Sequence, residues 1–466
     1  MGEVSMDQGP KTFRDQFLSI YQSMAADVAR QIATNSGAQS EALESTADKS
    51  VEVAAAEAAA ARFAAARKQG LDATLDETET LEEMSLPTNA KVCASLALRL
   101  MWAKLSGDAA TVTKIETEEL PGSKCDAKWR FTVEEYLKYF GVSGQAQKIP
   151  YIEPSSTGPK VITIKAKARI GLIGDWGTGA FPAKRVLRLL KAQNPDVVIH
   201  LGDIYYSGTD DECGINFESI VNSVLDRQNS QIPVYTLAGN HDMYSGGGGY
   251  YALIKRLNKA PLAQQASFFC LRAEDNSWQL LAMDTGQFDF NPIAVNHTQT
   301  HVDPAELEWH AQRVAEFPGK TILLSHHQLF SAFSQIAAAQ ADGRFVSYNA
   351  DLKKVLDRLQ QGDRKIAAWF WGHEHNLTVY KPHLGLKRGR CLGHSAIPVF
   401  AEDEPYKVLE KVKDPPKIVE PAKLSMDDGV YRHGFVMLAL GKETATAEYF
   451  EDSGGTATKI YSESID

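Results

Sequence analysis

Residues 161–175, VITIKAKARIGLIGD, open the part of this sequence that decides its fold. The run is rich in apolar and β-branched residues, which is typical of buried strands, and Asp175 stands where the apolar run ends. Four later apolar runs also end in polar side chains: VVIHLGD at 197–203, VYTLAGNHD at 234–242, TILLSHH at 321–327 and AAWFWGHEH at 367–375. Alternation of such runs with helical stretches predicts an α/β domain with a largely buried sheet.

The predicted helices between these runs lie near 182–193, 216–227, 304–317 and 350–361. The third one opens with Asp303 as its cap, Pro304 in the first turn and Glu306 in the position of a capping-box acid. Residues 402–428 are rich in Lys, Glu and Pro and are predicted to form a long loop. Two or three closing strands are expected over 430–466.

The N-terminal third of the sequence shows a different, helical residue pattern. Apolar residues spaced by three and four over 12–35, an Ala-rich stretch at 41–70 and shorter helical patterns at 88–105 and 131–140 predict a helical module. Residues 1–140 contain no histidine, and the sequence identifies neither a chemistry nor a partner for them. We therefore divide the chain into this module, a linker at 141–160 and a second domain at 161–466.

Composition limits the function classes. The 466 residues are 44% hydrophobic and 23% charged, as in globular proteins, and the net charge of −10 argues against a nucleic-acid surface. Five scattered cysteines form no CxxC pair, so a disulfide framework or a thiolate zinc site is not expected. The N-terminus shows no signal-peptide pattern and no apolar run spans a bilayer, so we expect a cytoplasmic protein without membrane contact, with unconventional export left open.

The polar residues after the five apolar runs suit a pair of metal ions. In an open α/β sheet the carboxyl ends of strands share one crevice, so these side chains are expected to meet there. Carboxylate, amide and imidazole ligands fit Fe, Mn and Zn, and two adjacent cations need a shared anion to offset their repulsion. The candidate ligands are Asp175, Asp203, Asn240, His326, His373 and His375.

The segments IGDWG, GDIYY, GNHD, SHH and GHEH, in this order, resemble the motif series of the calcineurin-like metallophosphoesterases, and within them most closely the purple acid phosphatases. The resemblance covers roughly residues 165–450. It implies a β-sandwich flanked by helices, here preceded by the helical N-terminal module. The subfamily rests on one exchange: Gly177 stands where the wider superfamily has a histidine ligand, and Tyr206 stands three residues after Asp203, where purple acid phosphatases have a tyrosine ligand.

The resemblance also implies roles for individual residues. The first metal, Fe(III), would be held by Asp175, Asp203, Tyr206 and His375. The second, Fe(II), Zn or Mn, would be held by Asp203, Asn240, His326 and His373, with Asp203 bridging. His241 would face the phosphate or the leaving oxygen as proton donor, and His327 is the nearest further candidate for proton transfer.

The implied activity is metal-assisted hydrolysis of phosphate monoesters, on a phosphorylated small molecule or protein. Two alternatives remain open from the residues. One is a phosphodiesterase, or a metallophosphoesterase running on Mn or Zn without redox-active iron. The other, of a different class, is a scaffold whose helical N-terminal module binds a partner.

Overall fold

The computed structural model describes residues 158–292, 299–336, 342–362, 366–412 and 414–466, together with residues 96, 99, 103, 108–123, 126, 130–140 and 147–154. The helices predicted at 12–35 and 41–70, and nearly all of the one at 88–105, lie outside the described residues. The helix predicted at 131–140 is present as Arg130–Phe140. None of the helices in the described part of the chain has the length and apolar character needed to cross a bilayer.

Fifteen strands, numbered β1 to β15 in chain order, lie in the described residues. Their bounds are Ile162–Ile164, Arg169–Ile173, Val197–His200, Val234–Thr236, Phe269–Ala273, Trp278–Ala282, Lys320–Ser325, Ile366–Trp371, Leu377–Val379, Gly389–Leu392, Met426–Asp427, Val430–Tyr431, Gly434–Ala439, Ala445–Ser453 and Thr456–Ile465.

Two large sheets contain most of these strands. One has seven strands in the order β1-β5-β6-β7-β8-β10-β9, and the other has six in the order β15-β14-β13-β2-β3-β4. The neighbours β2, β3 and β4 are parallel, as are β6, β7 and β8. The closing strands β13 to β15 add antiparallel ribbons to the second sheet, which confirms the strands predicted over 430–466.

The sheets pack face to face. One buried cluster contains side chains from both, including Leu172 and Ile199 of the six-stranded sheet and Ile322 and Phe370 of the seven-stranded sheet. The fold is therefore a mixed α/β sandwich, as expected. Because both faces of the central strands are covered, these strands are mostly apolar on both faces rather than alternating.

Nine α-helices, α1 to α9, lie in the described residues. Their bounds are Ala109–Lys114, Arg130–Phe140, Phe181–Lys191, Asp210–Glu212, Ser219–Val224, Asn240–Met243, Gly248–Leu257, Pro304–Ala315 and Ala350–Leu359. Helices α3, α5, α8 and α9 stand where the sequence predicts helices. Helix α3 packs on the outer face of the six-stranded sheet, and α8 and α9 cover that of the seven-stranded sheet.

Helix α8 begins as its sequence predicts, but one residue acts differently. Asp303 caps the helix by accepting the N–H groups of Ala305 and Glu306. The carboxylate of Glu306, expected to close a capping box, is fully buried instead and accepts from the N–H of Asp284 and the hydroxyl of Tyr151. The capping-box interpretation of Glu306 was therefore wrong, because the side chain turns into the core.

Candidate metal centre

Five strand ends bring the predicted ligands to one edge of the sandwich. Strands β2, β3 and β4 of one sheet lead to Asp175, Asp203 and Asn240, and β7 and β8 of the other lead to His326 and His373. Asp175, Asp203 and His373 have positive φ angles of 53°, 75° and 68°. Such backbone costs free energy for non-glycine residues, and it turns these side chains out of the strand direction toward one another.

The first half of the cluster surrounds the hydroxyl of Tyr205. That oxygen lies 3.1 Å from Asp175 Oδ1, 3.2 Å from Asp203 Oδ2 and 3.1 Å from His375 Nε2. His375 Nε2 is also 3.4 Å from Asp175 Oδ1. The other oxygen of Asp175 accepts the N–H of His373, which leaves Oδ1 facing the cluster.

The second half surrounds His326 Nε2. This nitrogen lies 3.0 Å from Asn240 Oδ1, 3.1 Å from His373 Nδ1 and 3.3 Å from Asp203 Oδ2. His326 Nδ1 donates to the carbonyl of Leu201, because a carbonyl can only accept. Its Nε2 therefore has a lone pair for a cation when the ring is neutral, which is the usual arrangement of a metal-binding histidine.

Asp203 stands between the two halves. Its Oδ2 faces both Tyr205 and His326, whereas its Oδ1 accepts the backbone N–H of His241 at 3.0 Å. One carboxylate oxygen is thus placed to be shared by two cations, and the other oxygen fixes the carboxylate plane. Asp203 is also the residue that the resemblance implies as the bridging ligand.

Asp242, the last residue of the GNHD motif, ties the loops together. Its carboxylate accepts the N–H groups of Asp203 at 2.9 Å, Ile204 at 3.2 Å and Gly239 at 2.8 Å. The approach is so close that a Cβ at Gly239 would lie 2.1 Å from Asp203 Oδ1, so only glycine fits there.

Tyr206, the predicted phenolate ligand, is not brought to the cluster. Its hydroxyl donates to Asp126 and accepts the N–H of Gly122 at 3.1 Å, both from the N-terminal part of the chain. The adjacent Tyr205 faces Asp175 and Asp203 instead. The physical reason is that the side chains of Tyr205 and Tyr206 point in different directions. Asp126, a buried acceptor outside the motif series, holds Tyr206 away from the cluster.

Gly177 has a steric role. Its N–H donates to the carbonyl of Asp203 at 3.2 Å, and a Cβ at this position would lie 2.7 Å from that carbonyl oxygen and 2.7 Å from Ile204 Cα. The loop that carries Tyr205 therefore runs directly over Gly177. A side chain at 177 would displace this loop.

The two histidines expected to transfer protons are placed differently. His241 Nδ1 donates to the carbonyl of Tyr206 at 2.7 Å, and Nε2 lies 3.9 Å from Asp203 Oδ2, on the cluster side. Both ring nitrogens of His327 are hydrogen-bonded, Nδ1 to Thr285 Oγ1 and Nε2 to Asp289 Oδ2, each at 3.0 Å. His241 is thus aimed at the cluster, whereas His327 is engaged by these two neighbours.

The electrostatics of the cluster favour cations. Burial lowers the pKa of His326, but the Asp203 carboxylate outweighs burial and raises that pKa to about 9. Burial also raises the pKa of Asp203, yet His326 and His241 hold it below the usual value. Burial and the nearby carboxylates of Asp175 and Asp203 raise the pKa of Tyr205 far above its usual range. A proton on His326 thus supplies positive charge at the place where a metal ion would supply more.

The donor set fits two metal ions. Asp175, Asp203 and His326 have ligand atoms within 4.8 Å of one another, and so do His326, His327 and His373. Because both ring nitrogens of His327 are hydrogen-bonded to Thr285 and Asp289, the other four residues are the better ligand candidates. Neighbouring donors in both halves are about 3 Å apart, which is the edge of a coordination shell with bonds of about 2.1 Å. Oxygen and imidazole donors in this mixture suit Fe, Zn and Mn.

Sequence reasoning passed over four residues of this region. Tyr205 is adjacent to Tyr206, the predicted ligand, and Asp242 lies inside the GNHD motif, so the sequence carries a signal for both. Thr285 and Asp289 follow the strand that ends at Ala282, but their position beside His327 has no signal in the local sequence.

Comparison with known proteins gives a family-model match over the residues that contain this cluster. Residues 168–377 match the family model described as calcineurin-like phosphoesterase. A comparison with curated protein sequences gave no match.

Three solved structures are similar to parts of this chain. GAP50, the anchor in the inner membrane complex of Plasmodium, is 13% identical over 65% of this chain and 89% of its own, with a TM-score of 0.44. PhoD is 10% identical over 66% and 74%, with a TM-score of 0.42. The sulfate thiohydrolase SoxB of Thermus thermophilus is 10% identical over 56% of both chains, with a TM-score of 0.31.

Proposed function

We propose that the protein is a two-metal phosphoesterase of the purple-acid-phosphatase type that hydrolyses phosphate monoesters. The proposal starts from the match of residues 168–377 to the calcineurin-like phosphoesterase family model. One observation carries the proposal: oxygen and nitrogen donors from five strand ends converge on two adjacent positions that share Asp203 Oδ2. The proposed substrate is a phosphorylated small molecule or protein.

The proposed ligand sets follow the two halves of the cluster. Fe(III) at the first position would be held by Asp175, Asp203, Tyr205 and His375, so Tyr205 replaces Tyr206 in this role. Fe(II), Zn or Mn at the second position would be held by Asp203, Asn240, His326 and His373. Two such cations, when bound, would supply the chemistry of a metal-activated nucleophile and would offset the negative charge of the phosphate.

The chain's own residues then have definable tasks. His241 would donate a proton from Nε2 to the leaving oxygen, because Nδ1 is committed to the carbonyl of Tyr206. Asp242 would keep the Asp203 and Gly239 loops in register by its three N–H contacts. His327, bonded to Thr285 and Asp289, would support the second position from behind rather than meet the substrate.

A pair of matched tyrosine variants tests this proposal. A phenolate bound to Fe(III) absorbs visible light, so the oxidised, iron-loaded parent should be violet. Tyr205→Phe should lose the colour and bind the first metal more weakly. Tyr206→Phe removes the neighbouring hydroxyl and should keep the colour. Metal content of each protein is measured beside its visible spectrum.

The same preparations separate the alternative functions. Activity on 4-nitrophenyl phosphate and on bis(4-nitrophenyl) phosphate compares monoester with diester hydrolysis. A protein that is active with Mn or Zn and colourless when loaded with iron would overturn the iron-phenolate part. A protein that binds no metal and cleaves neither ester would overturn the phosphoesterase proposal and favour the scaffold.

A further inference from the structure

Part of the chain before residue 158 is anchored on the α/β sandwich and its loops, which are together called the domain below. In the described residues of 108–140, here called the N-terminal segment, Glu118 pairs with Arg185 at 3.2 Å and Lys114 pairs with Asp428 at 2.6 Å. At the other end of the segment, the Phe140 ring stacks on Phe290 with centroids 4.7 Å apart. The segment therefore contacts the domain at several separate places.

One contact of the segment lies next to the metal centre. Asp126, which is 7% exposed, accepts the hydroxyl hydrogen of Tyr206, which is 5% exposed. The N–H of Gly122 donates to both the Tyr206 hydroxyl and Asp126 Oδ2, at 3.1 Å each. Gly122 also sits tightly against the domain, since a Cβ there would lie 3.2 Å from Thr178 Cγ2. The tyrosine hydroxyl is thus enclosed in a small hydrogen-bonded group supplied by the N-terminal segment.

The backbone of the same tyrosine holds the proposed proton donor. The Tyr206 carbonyl accepts from His241 Nδ1 at 2.7 Å, and the Tyr206 N–H donates to Glu212 at 2.6 Å. His241 is 8% exposed, and its ring packs between Tyr205 and Tyr244, both with centroids 4.6 Å away. The ring plane and the tautomer of His241 therefore depend on where the Tyr206 carbonyl stands.

We infer that Asp126 and Tyr206 are positioning residues, through which the N-terminal segment sets the orientation of His241. The inference rests on the proposed function for its effect on turnover. Asp126 fixes the tyrosine ring by its hydrogen bond, the ring fixes the loop at 206, and the carbonyl of that loop fixes His241. The hydrogen bonds described above join the side chains of Asp126 and Tyr206 to each other and to Gly122, none of which is a proposed metal ligand. We therefore expect the metals to stay bound when the Asp126–Tyr206 hydrogen bond is removed.

Kinetics of full-length variants test this chain of contacts. Tyr206→Phe and Asp126→Ala should slow hydrolysis of an alkyl phosphate, whose poor leaving group needs a proton donor, by roughly 10- to 100-fold. They should slow hydrolysis of 4-nitrophenyl phosphate much less. Asp126→Asn retains an oxygen that can accept the tyrosine hydrogen, so it should keep most of the activity. An equal loss in the Ala and Asn variants would contradict the hydrogen-bond role.

Two control variants remove other contacts of the same segment. Tyr139→Phe removes a tyrosine hydroxyl that donates to the carbonyl of Lys148, and Asp428→Asn removes the ion pair with Lys114. Both should behave as the parent. Equal losses in these controls would show that any weakening of the segment slows the enzyme, which would overturn the specific role of Asp126 and Tyr206.

A double-variant cycle separates positioning from general destabilisation. If Tyr206 acts through His241, Tyr206→Phe should change alkyl phosphate hydrolysis by less than about twofold in a His241→Ala background. The same loss in both backgrounds would overturn the inference. Loss of metals from Tyr206→Phe would also overturn it.

A measurement that does not depend on catalysis tests the inference independently of the proposed function. Histidine labelled with ¹³C at Cε1 gives a His241 signal, assigned by its absence from His241→Ala. That signal should move in Tyr206→Phe and Asp126→Ala, and stay in place in Tyr139→Phe. An unmoved signal in both test variants would overturn the inference. If the parent cleaves no phosphate ester, the proposed function fails, and the spectra still decide whether the segment orients His241.

Discussion

The carboxylate of Asp242 accepts three backbone N–H groups, and its removal tests how the cluster is held together. Asp242→Ala leaves the buried N–H groups of Asp203, Ile204 and Gly239 without this acceptor. An unsatisfied buried donor costs about 1–3 kcal/mol, so three cost roughly 3–9 kcal/mol. The whole free energy of unfolding of a domain is about 5–15 kcal/mol. We therefore expect the loops at 203 and 239 to separate and the metals to be lost.

Asp242→Asn should destabilise the protein less than Asp242→Ala, because the two oxygens of Asp242 accept different numbers of hydrogen bonds. Oδ2 accepts from Asp203 and Gly239, whereas Oδ1 accepts from Ile204 alone. An amide oxygen at the Oδ2 position keeps two of the three contacts. Asp242→Asn should therefore cost about 1–3 kcal/mol, the price of one lost acceptor.

Amide hydrogen exchange reads these contacts directly. In Asp242→Ala, the amides of residues 203, 204 and 239 should exchange roughly 5- to 150-fold faster, which corresponds to about 1–3 kcal/mol for each contact. Metal content is measured on the same samples. Asp275→Ala is the control, since Asp275 accepts the N–H of Ser277 in an exposed turn. Unchanged exchange and full metal content in Asp242→Ala would refute the role given to Asp242.

Three further predictions concern single side chains. Asp203→Ala should lose both metals together, and two metals with normal turnover would exclude a bridge. His241→Ala should slow hydrolysis of alkyl phosphates far more than that of nitrophenyl phosphates, and equal losses on both substrates would assign His241 to phosphate binding. Because burial lowers the pKa of His241, its contribution as a proton donor should fade as pH rises through the acidic range. Burial raises the pKa of Glu306 from 4.5 to about 8, so the folded state binds a proton that the unfolded state releases, and stability should fall as pH rises across this interval. The melting temperature of Glu306→Gln should fall less steeply with pH than that of the parent. Glu308→Gln, on the exposed side of the same helix, is the control and should keep the parent's pH dependence. An unchanged pH dependence in Glu306→Gln would show that Glu306 does not titrate in this interval.

The architecture is predictable from the sequence because apolar runs that end in polar residues mark buried strands. The same patterns place Asp175, Asp203 and His326 at neighbouring strand ends. Local spacing does not decide which of two adjacent tyrosines faces a site, since the choice between Tyr205 and Tyr206 depends on an acceptor 80 residues away in the chain. Local spacing likewise does not show that the Glu306 carboxylate turns into the core, because its partners Tyr151 and Asp284 are brought to it by packing. The division at 141–160 stays a prediction.

The close contact over Gly177 limits how such a site can change. The backbone of Asp203 and Ile204 occupies the space that any side chain at 177 would need. A histidine at 177 and the present course of this loop therefore exclude each other, and an imidazole donor there could not simply be added beside the tyrosine. If Tyr205 is the ligand proposed above, conversion to a histidine ligand at 177 requires a change in both segments. A chain with only one of the two changes would lack a full set of donors for the first ion. With the proposed donor set, an exchange of the tyrosine for a histidine at 177 would therefore pass through a chain with weakened metal binding, whichever of the two changes came first.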